Sequence, residues 1–523
     1  MLLNLAVLIW IFGLASALPP QKTLSPVNDH HDGPNAANAR ANANLIFNSI
    51  HSSMRQWGSS LQHNGMSFFL ASIPEGTMLY HGRHDGERVT GMEWLAFEIE
   101  HAELFARRLG PPPVGNAKSS HRDQSASSGE PSLPNTSYSP FDGDEQAAPE
   151  LPGYLHIYQT NRPLKRLLYI DGMSAGKSSM GTLDTQDHVL LNFTGENWMY
   201  DRKRARELCD LAQDWQIEGF IRMQAGFEIV MCDFSQGLDF VSALKRSKAN
   251  DLNGLSEFDV FEWLRAAAAR YDGIDGDRVV VDYSSMQSAY FYPLDLSDPD
   301  APDSTLPRLR AVEPARLLRM KDDLHKILRT RQGSQVSINW QGVVDLIISR
   351  YADRLQFMAT GPPHEIFVAE LNHLLDTFID YKSPSRDASI HRCSSHWLEP
   401  AAKTKAMFTD QDVLISAAVE TVSRTLCQTL FDIRQTLMDG RGDAVVHPDL
   451  AVATIAAPAI RRLIDWLDWT VWKTCGVCAY DQICFVAIWP FGAPDDHVHP
   501  KCISATQIME RRGYWQMGRQ PDP

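Results

Sequence analysis

The sequence lacks an excess of positive charge: 49 Lys and Arg stand against 64 Asp and Glu, a formal net charge of −15 over 523 residues. Nucleic-acid and anionic-membrane surfaces both need a basic field, so neither partner is expected. Long apolar sequence is also scarce. Beyond residues 2–14 no run is long enough to cross a bilayer, and no lipid-anchor signal is expected. Internal repeats are absent, which excludes solenoids and propellers. A complete phosphate loop is missing too. Gly172-Met173-Ser174-Ala175-Gly176-Lys177-Ser178 has three residues between its glycines instead of four, and Asp171 stands where the first glycine belongs. That spacing excludes a nucleotide triphosphatase.

What is present points to the secretory pathway. Residues 1–17 read as a signal peptide, with an apolar core at 2–14 and a small-x-small end at Ala15-Ser16-Ala17, although no Lys or Arg precedes the core. A secreted or lumenal protein is expected, with no membrane attachment once the signal is removed. The eight cysteines, Cys209, Cys232, Cys393, Cys427, Cys475, Cys478, Cys484 and Cys502, form an even set that suits an oxidising compartment. Asn135-Thr136-Ser137 and Asn192-Phe193-Thr194 are glycosylation acceptors in that setting.

The chain is too long for one compact core. Residues 18–40, rich in Asn, Asp, Ala and Pro, read as a flexible leader. Residues 41–244 read as an α+β domain, interrupted by a Pro-, Ser- and Gly-dense stretch at 111–152 that is expected to be a disordered insertion. Helices are expected at 41–61 and 202–215, and strands at 67–73, 77–81, 154–160, 164–171, 220–223 and 227–233. Residues 255–474 show helical spacing at 258–271, 314–332, 340–357, 363–381, 410–438 and 450–474, with a strand at 278–283, and read as a mainly α domain. Residues 475–523 form a cysteine-rich end.

Several motifs invite a chemical reading. Ser174 is the centre of a Gly-x-Ser-x-Gly after a strand, the layout of a hydrolase nucleophile, but residues 177–182 favour helix poorly and no later histidine (His373, His391, His447) has a matching context. Cys475, Cys478, Cys484, His497, His499 and Cys502 could ligate zinc by residue type. In an oxidising compartment two disulfides of open connectivity are preferred, and no metal is expected. Arg441-Gly442-Asp443 is read as a chance tripeptide in a turn, and the basic run at 201–206 as a solvated helix face. A pair of acids that share no local motif, as in glycoside hydrolysis, stays open.

The segment Leu79-Tyr80-His81-Gly82-Arg83, followed by Glu93-Trp94-Leu95-Ala96-Phe97-Glu98 and His101-Ala102-Glu103-Leu104-Phe105-Ala106, then by Gly226-Phe227-Glu228-Ile229-Val230-Met231, resembles the ordered motifs of the ADP-ribosyltransferase superfamily. The similarity is to its poly-ADP-ribose-polymerase-like branch with His, Tyr and Glu, and it covers residues 66–244. It implies a split-sheet fold for the α+β domain, ahead of the mainly α part with its disulfide-rich end. It also implies NAD as substrate, with ADP-ribose passed to an unknown acceptor or to water. His81 and Glu228 would be catalytic, and His81, Gly82 and Trp94 would bind NAD. The physical basis is that cleaving ribose from nicotinamide creates an oxocarbenium-like centre that needs a carboxylate beside a held ribose. Trp94 stands where the family has Tyr or Ser-Thr-Ser, and Gly226 where arginine-specific members have Gln or Glu, so an arginine acceptor is not implied. The competing expectations are a non-catalytic secreted binding or effector-like protein, and a serine hydrolase built on Ser174.

Overall fold

The structure, a computed structural model, describes residues 33–106, 153–191, 200–246, 256–270, 272–273, 277–301, 304–331, 337–439, 448–511 and 513–516. The signal peptide, most of the leader, the 111–152 insertion, both glycosylation acceptors, Arg441-Gly442-Asp443 and His447 lie outside the described residues.

The N-terminal part is a curled α+β sheet domain, followed by a mostly helical region. Nine strands make the sheet: β1 (Ser67–Ile73), β2 (Met78–Arg83), β3 (Glu93–Ala96), β4 (Tyr154–Thr160), β5 (Leu164–Ile170), β6 (Gly219–Met223), β7 (Phe227–Met231), β8 (Leu238–Lys245) and β9 (Val280–Ser288). Their order is β8-β4-β2-β3-β7-β6-β5-β1-β9. Every neighbouring pair is antiparallel except β5 and β6. A parallel pair needs a long crossover, and the segment between them carries a π-helical turn, Thr185–Leu191, and a 15-residue helix. β6 and the second half of β5 (Leu167–Ile170) are buried on both faces within the sheet, whereas the edge strand β8 has exposed positions along its length.

The helices used below are α1 (Ala36–Ala41), α2 (Ala43–Ser52), α3 (Gln56–Leu61), α4 (Ile99–Glu103), α5 (Asp201–Trp215), α6 (Glu257–Ala268), α7 (Pro314–Thr330), α8 (Trp340–Ala359), α9 (His364–Leu375), α10 (Arg386–His396), α11 (Asp410–Asp439) and α12 (Ala457–Leu467). Two expectations are corrected here. The leader does not run flexibly to residue 40: Asn35 caps α1 by accepting from the Asn38 N–H at 3.0 Å, and Ala39 is buried. The single helix expected at 41–61 is broken. Met54 adopts φ +54°, its N–H donating to the Tyr169 hydroxyl at 3.1 Å, and α3 folds back onto α2. Glycine is needed at that fold, since a Cβ on Gly58 would lie 2.5 Å from Ser52 Oγ.

α1, α2 and β9 all contact α11. One apolar cluster therefore runs from Phe47 and Ile50 through Leu168 and Ile229 to Trp340, Leu426 and Ile460, so the sheet and the helices share a continuous core. Four disulfides are formed: Cys209–Cys232, Cys393–Cys427, Cys475–Cys484 and Cys478–Cys502. The first ties α5 to the end of β7 and the second ties α10 to α11. The last two staple a loop to the hairpin of β10 (Gln482–Phe485) and β11 (Lys501–Ser504). The sulfur atoms of Cys475, Cys478 and Cys502 come within 4.8 Å of one another, but all are disulfide-bonded, so no thiolate is left for a metal.

Candidate functional site

The three motif-bearing strands lie side by side as β2, β3 and β7, but pairing register decides which side chains meet. Tyr80 of β2 pairs with Ala96 of β3, Ala96 with Glu228 of β7, and Glu228 with Arg222 of β6. Residues directly opposite one another point to the same face, and the next residue along a strand points to the other. Glu228 therefore shares its face with Tyr80, and His81 turns to the opposite face.

The surroundings of His81 agree with this. Its ring lies 5.7 Å from that of Phe234 and 6.0 Å from that of His156, and its Nδ1 hydrogen-bonds the Trp94 carbonyl oxygen at 2.7 Å. Burial lowers its pKa to about 4. His81 is a neutral ring in an aromatic layer, and it does not converge with Glu228 on one cleft. This corrects the expected catalytic pair. The sign for stability follows from linkage. The unfolded His81 takes a proton near its ordinary value of 6.5 and the folded one only near 4, so its neutral form favours folding above 6.5 and that advantage is lost as pH falls between them. His81→Phe is expected to remove about 2 kcal/mol of the stability lost between pH 7 and pH 5, read by urea unfolding at the two pH values. An unchanged difference would mean that His81 is solvated.

Gly82 is on the Glu228 face, but the chain itself fills the space before it. A Cβ there would lie 2.2 Å from the Ala102 carbonyl oxygen and 2.5 Å from the Ala106 nitrogen, because α4 and the turn after it pack onto this strand. The small residues Ala102 and Ala106, with Ala96, Leu155 and Tyr80, form a separate apolar patch there. The expected binding of NAD at Gly82 is blocked by this packing.

Glu228 belongs to a different constellation, a buried polar cluster. The Arg222 guanidinium donates from Nη2 at 2.5 Å and from Nε at 3.1 Å to Glu228 Oε1, and from Nη1 to Gln186 Oε1 at 2.8 Å and Asp201 Oδ1 at 3.2 Å. Lys177 Nζ lies 3.4 Å from Asp201 Oδ2 and 5.0 Å from the centre of the Trp489 ring, whose Nε1 donates to the Lys177 carbonyl oxygen at 2.8 Å. Arg202 stacks 5.7 Å above the Trp94 ring and donates to Glu93 at 2.7 Å, and Arg204 grips Asp187. Burial raises the Glu228 pKa against the opposing pull of Arg222. Burial acts the same way on Asp201, but Arg222 and Lys177 overcome it and hold that carboxyl below the usual range.

Beside this network are buried polar atoms with no hydrogen-bond partner among the described residues: Trp94 Nε1, His101 Nδ1, Gln224 Oε1 and Thr185 Oγ1. Such atoms cost free energy and call for a reason. His101 stacks on Trp263 at 5.4 Å, and burial, with Lys177 nearby, lowers its pKa to about 4.

The basic run at 201–206 is thus not a solvated face: Arg204 is buried and Arg202 covers Trp94. Lys177, from the incomplete phosphate loop, is the cluster's second cation. The available signal was Arg222, a charge inside the otherwise apolar strand Gly219–Met223. Ser174 plays no matching role. Its Oγ donates to the Ile170 carbonyl oxygen at 2.8 Å, it is fully buried, and the chain after β5 continues as turns rather than a helix, so the nucleophile-elbow geometry is absent.

A family model described as the YPL277C N-terminal domain matches residues 37–261, a span that contains β1 to β8 and most of the cluster. Two Saccharomyces cerevisiae proteins are similar to this chain. YOR389W is 26% identical, over 88% of this chain and 84% of its own, and YPL277C is 29% identical, over 60% of this chain and 74% of its own. Both carry the description "uncharacterized protein". No solved structure matches.

Proposed function

We propose that the chain is a secreted or lumenal binding protein whose sheet half keeps an ADP-ribosyltransferase-like strand layout without cleaving NAD. The observation that carries this reading is the condition of Glu228. A carboxylate that stabilises an oxocarbenium-like ribose must reach it, whereas Glu228 is buried and held through Oε1 by two guanidinium N–H groups of Arg222. His81 faces the opposite side of the sheet and Gly82 lies beneath α4, so the other two members of the set are out of reach. The adjacency of β2, β3 and β7, with Trp94 and Glu228 on one face, supports the layout.

Recognition in place of chemistry also gives the unpaired atoms a use: Trp94 Nε1 offers a donor and Gln224 Oε1 an acceptor to a small polar ligand. NAD would then be at most a ligand. Four disulfides support a secretory location; no helix among the described residues is long and apolar enough to cross a membrane. In a nicotinamide-release assay, neither the purified protein nor its Glu228→Gln variant is expected to exceed the protein-free rate. Release by the parent that the variant loses would restore the transferase reading.

A further inference from the structure

A cleft on the other side of β5 has no part in the cluster around Glu228. It encloses about 250 Å3 between α2, α3, the end of β5 and the segment Thr305 to Pro307. That is below the roughly 300–1,000 Å3 of sites for drug-sized molecules, so it has room for one small molecule.

The floor is backbone. Gly65 and Gly172 touch so closely that a Cβ on Gly172 would lie 2.3 Å from the Gly65 nitrogen, and Gly172 has φ +66°, which favours glycine. Beside the floor the buried carboxyl of Asp171 accepts from the Ser67 N–H at 2.7 Å through Oδ1. The neutral polar lining is hydroxyls and amides, with one imidazole: Ser49, Ser59, Gln62, Asn64, Thr305 and His497. Of the basic side chains in the lining, Lys473 is already paired with Asp468 at 3.1 Å and His497 is bound through Nε2 to the Leu61 carbonyl oxygen at 2.8 Å, which does not favour an anion. Tyr290 and Pro307 give the cleft an apolar wall.

Asn64 is used within the protein, its Nδ2 donating to the Met180 and Pro307 carbonyl oxygens, but the Ser49 and Thr305 hydroxyls and the Gln62 amide N–H groups, with one buried carboxyl and an apolar wall, match a molecule with a ring of hydroxyls and a C–H face. We propose that this cleft is a binding site for a single sugar ring or a cyclic polyol of that size. Burial pushes the Asp171 carboxyl up to about 7, which lets it donate as well as accept at a hydroxyl group. The site stands whether or not the Glu228 cluster acts on NAD.

The test is calorimetric titration of the whole protein with D-glucose, D-mannose, D-galactose, N-acetylglucosamine and myo-inositol, with glycine and inorganic phosphate alongside. At least one of the five ring compounds is expected to bind. Ser49→Leu, which fills the cleft from a partly exposed helix position, is expected to weaken that binding at least tenfold. Thr305→Val, at an exposed position, should weaken it several-fold, and Glu228→Gln should leave it unchanged. Thermal unfolding of each variant close to the parent's shows that the loss is local. Three results would overturn the inference: no binding of any ring compound at 10 mM (roughly the weakest affinity of interest for a specific site), equal binding by Ser49→Leu, or preferential binding of glycine or phosphate.

Discussion

Arg222→Met is expected to lower folding stability by about 3–5 kcal/mol, the range for removing one partner of a buried ion pair. Arg222 is fully buried and holds Glu228, Asp201 and Gln186 together, so its loss leaves carboxylates in a desolvated place with Lys177 and Arg204 as the cations still near Asp201. The double variant Arg222→Met, Glu228→Gln should recover much of that loss, because it removes the unpaired charge along with its partner. Urea unfolding of the parent, both single variants and the double variant gives the coupling directly. A cost for Arg222→Met of about 1 kcal/mol or less, as for an exposed pair, would mean that water reaches the cluster.

The second large effect concerns the helical half. Replacing Cys393 and Cys427 together by serine is expected to cost about 4 kcal/mol, from the chain entropy of a loop closed over 34 residues. The same change at Cys475 and Cys484, separated by 9 residues, should cost about 1 kcal/mol less, because loop entropy rises with the logarithm of length. The longer link also joins two separate helices, α10 and α11, whose approach depends on packing around Ile390 and Leu426. Thermal unfolding of the two double variants under matched conditions measures both values. Equal losses would show that strain or residual unfolded structure, not loop length, sets the contribution.

Particular elements show where the sequence was sufficient. β1 falls on 67–73 as its pattern predicts, and α8 and α11 follow their periodic apolar positions closely, because a face that must be buried leaves its repeat in the residues themselves. The helix break at Met54 left no such mark. It depends on a hydroxyl from Tyr169, more than a hundred positions away, and on the fit of Gly58 against Ser52. α10 was missed for a related reason: its surface is mostly polar and Cys393 is among its few buried contacts.

The site divides along the same line. The motif resemblance singled out Glu228, Trp94, Gly82 and His81, and the order of those motifs suggested neighbouring strands, which β2, β3 and β7 are. Composition, charge and cysteine number sufficed for the α+β-then-helical layout and the disulfides, since these follow from sums and periods that need no partner. Only the fold decided that His81 and Glu228 face away from each other. A one-residue step along a strand reverses the face, and the register that counts those steps is set by partners far along the chain. The grouping of Lys177, Asp201, Arg222 and Glu228 was decided there too, as was the filling of the space over Gly82 by α4. Burial and pairing are properties of what packs around a side chain, and that information is distributed over the whole molecule.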